Sequence, residues 1–110
     1  MFEGFWIVQY EGLRGNGGGV VIFMRGRILG GDTGFIYVGT YQADERNISA
    51  RVKVQNFLPE VPNVLGIVGD FELEITAAIT GGTIKGAASL IGQEGAGLAI
   101  KMMRVCDLPT

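Results

Sequence analysis

Apolar and polar positions alternate with a period of two along much of the chain. From Ile48, the residues Ile48, Ala50, Val52 and Val54 fall on one side, and Ser49, Arg51, Lys53 and Gln55 fall on the other. A second run repeats the arrangement, with Phe71, Leu73, Ile75, Ala77 and Ile79 opposite Glu72, Glu74 and Thr76. Successive side chains of a pleated strand point to opposite faces, so each run predicts a strand with one dry and one wet side. No segment carries apolar residues at i, i+3, i+4 and i+7, and the helix formers at 42–46 are too few and too polar to nucleate a helix. Little or no helix is expected. The pattern predicts eight strands, over 2–10, 18–24, 27–30, 35–41, 47–57, 71–80, 83–90 and 98–105.

Nineteen glycines in 110 residues far exceed the usual share of about 7%. Their clusters at 15–19, 30–34, 81–82 and 92–97 separate the apolar stretches and predict turns. The first, which includes Asn16, reads as a flexible hairpin loop; it lacks the Lys-Ser/Thr that would follow in a phosphate-binding loop. Gly39 lies inside a strand, as do Gly86, Ala87 and Ala88, and such small residues predict bends or close backbone approach. One-sided antiparallel strands joined by short turns must bury their dry faces, and closing the sheet on itself does so while removing exposed edges. The expected fold is therefore all-β: a single domain over 1–110, built as an eight-stranded, mostly antiparallel, up-and-down β-barrel. Trp6, Val8, Ile22, Tyr37, Val52, Val54, Leu73, Ile75, Ile100 and Met102 are the expected interior. These residues either fill the barrel or leave room for a small apolar ligand.

The run from Leu29 to Tyr41 joins turn chemistry to strand chemistry. Gly30 and Gly31 permit positive φ, Asp32 can accept bonds from downstream amides, and 35–41 is rich in β-branched and aromatic residues. Asp32 has two candidate roles, as a turn acceptor or as a ligand-binding carboxylate at the barrel mouth with a Tyr or Arg partner. The segment 58–69 contains Pro59 and Pro62 among Val61, Val64, Leu65, Ile67 and Val68. It is either a lid folded over one end of the barrel or a partner surface. Phe5 and Ile7 face away from Trp6 and Val8, and together with Val61, Val64 and Leu65 they form a candidate dimer or partner surface.

Composition narrows the chemistry. A net charge of −2, a pI near 5.0 and scattered cations give no drive toward phosphate backbones, so no direct nucleic-acid binding is expected. With no histidine at all, the chain lacks the commonest general base and metal ligand. Asp32, Asp44, Glu45 and Asp70 belong to separate turns, so neither a metal site nor a cofactor is expected. The lone Cys106 has no histidine to activate it and no partner for a disulfide, which points to a reducing cytoplasm. The opening residues lack the features of a leader, and no window is apolar enough for a membrane span. The expected protein is non-enzymatic.

Leu29-Gly30-Gly31-Asp32, followed by Phe35-Ile36-Tyr37-Val38-Gly39-Thr40-Tyr41, an acidic turn, a strand and a proline-containing loop before Phe71, resembles the GrlR-like family. Those proteins are negative regulators of type III secretion genes, and their relatives, in proteobacteria. The resemblance runs from Phe5-Trp6-Ile7-Val8 to the last strand. It implies a calycin-like, lipocalin-related barrel that forms a homodimer and represses a transcription activator by binding it through an acidic loop. That loop falls here on Ala43-Asp44-Glu45-Arg46, which makes Asp44 and Glu45 the implied partner-binding residues. The family run has four consecutive carboxylates where this chain has two. A solvated hairpin turn accounts for Asp44 and Glu45 equally well.

Overall fold

The computed structural model describes residues 3–62, 65–66, 69–93 and 95–109. Eight strands form: β1 (Gly4–Gly12), β2 (Gly15–Met24), β3 (Arg27–Gly31), β4 (Phe35–Ala43), β5 (Asn47–Asn56), β6 (Phe71–Thr80), β7 (Thr83–Leu90) and β8 (Gly97–Cys106). Each pairs antiparallel with its neighbour in sequence, and β1 pairs with β8 to close the barrel. There is no helix among the described residues. The fold is thus the all-β, eight-stranded, up-and-down antiparallel barrel that the alternation predicts.

The register explains which residues go inside. On β5, Ile48, Ala50, Val52 and Val54 are buried, and on β6 Leu73, Ile75 and Ala77 are buried, as the period of two requires. Ile22 differs from expectation. Val21 and Phe23 are the buried residues of β2, so strand parity turns Val20, Ile22 and Met24 outward. The glycine cluster at 15–19 also differs, because it is strand rather than loop. Gly15 to Gly19 pair with Gly12 back to Val8, and the turn is Leu13-Arg14. Glycine is needed there for clearance: a Cβ on Gly17 would meet the Tyr10 ring at 2.7 Å.

Gly30 and Gly31 are likewise ordinary strand residues without positive φ. A Cβ on Gly30 would strike the Val20 carbonyl oxygen, so at this position too the requirement is close approach. The same holds at Gly39 against Arg51 and at Gly86 against Thr76, the two places where the sequence predicts close backbone approach. Positive φ does serve a true turn at Arg25-Gly26, between β2 and β3, at φ 49° and 78°. Two central residues with positive φ match the right-handed twist of the flanking strands.

The two ends of the barrel are built differently. At the end holding the Arg25-Gly26, 44–46 and Gly81-Gly82 turns, Phe23 is fully enclosed and packs edge-on against Trp6 (ring centroids 5.8 Å apart) and Tyr41 (5.2 Å). Such perpendicular aromatic pairs contribute about 0.5–1.5 kcal/mol each beyond the area they bury. This end is plugged. The opposite end holds the Leu13-Arg14 turn, the Asp32–Gly34 turn and the segment after β5.

Candidate functional site

Turns built on aspartate shape both ends of β4. In the turn between β3 and β4, Asp32 Oδ1 accepts from the Gly34 and Phe35 amides at 3.0 Å each, and the Asp32 amide donates to the Phe35 carbonyl. Asp44 repeats this between β4 and β5, accepting from the Arg46 and Asn47 amides at 2.8 Å, while its own amide donates to the Asn47 carbonyl. Those backbone bonds hold the Asp44 carboxyl below the ordinary carboxylate range. Asp44 and Glu45 are both exposed, so the turn role of Asp44 leaves Glu45 as the freer of the two carboxylates.

Asp32 does more than its counterpart. Its Oδ2 accepts from the Tyr10 hydroxyl at 2.7 Å and from the Tyr37 hydroxyl. The turn role of this residue is thus in place through one oxygen, and the other has the tyrosine partners that the ligand-binding role calls for. Glycines make the space. A Cβ on Gly19 would lie 3.0 Å from the Tyr37 hydroxyl and 3.1 Å from Asp32 Cβ. Tyr10 is absent from the interior that the sequence predicts, although it continues the inward Trp6, Val8 parity of β1.

Beneath these three residues lies a cavity of about 280 Å³. Eight of the ten expected interior residues line it: Val8, Tyr37, Val52, Val54, Leu73, Ile75, Ile100 and Met102. Of the other two, Trp6 belongs to the plugged end and Ile22 faces out. Phe35, Ile28 and Leu98 complete the wall. The barrel is therefore only partly filled.

The segment after β5 roofs this cavity. Val61, Pro62 and Leu65 line it, and Val61 and Leu65 pack against the core. Gly34 gives Val61 its seat, since a Cβ there would meet Val61 Cβ at 2.7 Å. Asp70 anchors the far end of the segment by accepting from the Asn56 amide at 3.0 Å. Of the two readings of the segment, the lid fits Val61 and Leu65, which turn inward and do not share a surface with Phe5 and Ile7. Val64, Ile67 and Val68 lie outside the described residues.

Burial, and then the bond to Asp32, push the Tyr10 phenol up from 10.0 to about 12, and the same two causes raise Tyr37 further. Tyr41 is raised as well, chiefly by burial. A phenol whose folded pKa exceeds its unfolded value stabilises the fold fully below the unfolded pKa, and that stability is lost as pH rises through the folded one. The expected outcome is a chain that keeps its phenols protonated at pH 10, then loses stability between about pH 10 and 12. Ultraviolet titration of tyrosinate alongside circular dichroism checks this. Tyrosinate forming near pH 10 with the barrel intact contradicts it.

The outer face divides into two halves. Across β1 to β4, Phe5 pairs with Ile22, Ile22 with Leu29 and Leu29 with Val38, forming a lateral apolar row. Ile7 and Val20 pair beside it, with Ile36 two strands further on, across Gly31, and Met103 flanking Ile7 on β8. Ile7, Val20, Leu29, Ile36 and Val38 are each about two-fifths exposed. Across β5 and β6 the outer positions are mostly polar and include two cross-paired sets of opposite charge, Arg51 with Glu74 and Lys53 with Glu72. Phe5 and Ile7 thus belong to an apolar face that extends over four strands. Val20, Ile22, Leu29, Ile36 and Val38 enlarge it beyond the two residues that the sequence suggests on β1.

No protein-family model matches the chain, and no curated protein matches it.

Proposed function

We propose that this chain is a non-enzymatic regulatory protein that acts by binding protein, with a second copy of itself as the occupant of the β1–β4 face. The observation that supports this reading is the one-sided apolar face. A closed barrel has no strand edge to offer, so association must use outward side chains, and here one half of the barrel carries a charge-free row across four strands. A row without charge can meet its own copy around a two-fold axis without placing like charges opposite each other, while Arg27 on β3 and Glu11 on β1 stand outward to either side of it. In the cytoplasmic, GrlR-like role that the sequence resemblance implies, a transcription activator would meet Asp44 and Glu45 at the plugged end. Sedimentation at micromolar concentration is expected to give a dimer, and Leu29→Glu a folded monomer. A monomeric wild type, or an unchanged Leu29→Glu variant, overturns the face. Asp44→Asn/Glu45→Gln removes charge while keeping a turn acceptor, so it is expected to reduce co-purification of an activator from the native cell. Equal recovery removes the acidic-turn contact.

The cavity favours a second reading, in which the barrel binds a small apolar ligand. Its walls are aliphatic and aromatic, its polar groups are few and gathered at one end, and Val61, Pro62 and Leu65 roof it.

A further inference from the structure

We infer that the cavity takes a small apolar molecule ending in a hydrogen-bond donor, an alcohol or a primary ammonium, and rejects one ending in a carboxylate. This inference rests on the ligand-binding reading above and adds the chemistry of the ligand's head.

The reason lies in a count of hydrogens and lone pairs. Asp32 Oδ1 is occupied by the Gly34 and Phe35 amides, and Oδ2 by the hydroxyls of Tyr10 and Tyr37. A carboxylate offers about four acceptor sites and a phenol carries a single hydrogen. Both phenol hydrogens are therefore spent on Asp32. What Tyr10 and Tyr37 have left to offer is lone pairs, so the cluster of Asp32, Tyr10 and Tyr37 accepts hydrogen bonds and has no donor to give.

Asp44 supplies the control within the same molecule. It builds the same turn with the same two amide bonds, yet it draws in no phenol and does not line the cavity. The turn alone therefore does not account for the two tyrosines on Asp32. Their placement at the cavity is an additional feature of the fold.

A carboxylate head would find no donor on the two phenols and would lie beside the Asp32 carboxylate, in a site where like charges are poorly screened. The lining holds no Lys or Arg among the described residues. Arg14 approaches the roof at Gly66 but does not line the cavity. Asn16 and Thr33, at the mouth, are exposed and keep water as a partner with or without a ligand. An alcohol or ammonium donates to the phenol oxygens and lays its apolar body against Val52, Val54 and Leu73. Taking about 30 Å³ per non-hydrogen atom, as in liquid water, the volume suits on the order of ten such atoms.

Calorimetric titration of the intact protein with 1-octanol, octylamine and octanoate tests this, since the three probes share a chain and differ in the head. Octanol and octylamine are expected to bind, and octanoate at least about tenfold more weakly, a gap of roughly 1.4 kcal/mol. In Tyr10→Phe and Tyr37→Phe, octanol is expected to weaken and the gap to narrow. Asp32→Asn keeps the turn acceptor without the charge and is expected to narrow the gap from the octanoate side. If none of the probes binds, the ligand reading falls and this inference with it. If octanoate binds as tightly as octanol, the donor-head inference alone falls. Folded tyrosine variants that keep the full gap also overturn it.

Discussion

Phe23→Ala is expected to destabilise the barrel by about 3–5 kcal/mol, a large share of what holds a domain of this size together. Phe23 is completely enclosed, and its ring stands nearly perpendicular to both Trp6 and Tyr41, at interplanar angles of 88° and 83°. Removing it leaves a void among side chains carried by three strands of a closed sheet, whose backbone cannot collapse inward without breaking ladder bonds. The transfer and cavity contributions therefore add, with little relaxation. Small domains are stable by roughly 5–15 kcal/mol in total, so the urea midpoint should fall steeply at an unchanged slope. A loss below about 1 kcal/mol would mean that the aromatic plug is loosely packed.

The second large effect is expected at Asp32. Asp32→Ala strips a partner from two amides and two phenols at once, and Tyr37 is too enclosed to recover full hydration, so a loss of about 2–4 kcal/mol is expected. Asp44→Ala, which removes only the turn bonds in open solvent, is expected to lose clearly less. Denaturation of the two variants in parallel measures the difference. A double-mutant cycle between Asp32→Asn and Tyr37→Phe isolates the phenol bond, and strict additivity there would contradict the geometry. Equal losses for Asp32→Ala and Asp44→Ala would mean that the phenols add nothing to the turn.

The sequence is most legible where alternation runs unbroken. In β5 and β6 charged or hydroxyl residues occupy the outward positions in the middle of the strand, so parity is unambiguous and the inward set follows from it. It is least legible in β2, where Val20, Val21, Ile22 and Phe23 are consecutive and apolar. Parity cannot be assigned within such a run, and both of its faces turn out to be apolar because its outer side belongs to the β1–β4 face. The Gly15–Gly19 cluster misleads for a different reason. Glycine signals either a turn or a lack of room, and the room in question depends on the Tyr10 and Tyr37 rings approaching from other strands. The same kind of long-range fact hides the Asp32 site. The turn half of its role spans three residues, whereas Tyr10 lies 22 positions away and becomes a neighbour only when the sheet curls.

Seven of the eight ladders connect strands that are adjacent in the chain, and only the β1–β8 seam joins distant segments. The seam sets Phe5 beside Cys106, at the plugged end. A short peptide across that gap would circularise the polypeptide, and cutting at Gly81-Gly82 would make a permutant with every original pairing retained. In assembly, each hairpin can zip locally, while the seam must await its most remote partner, so its closure carries the heaviest loop entropy of the eight. Because β1 begins and β8 ends at the plugged end, a probe joined to either strand there leaves the roofed entrance clear.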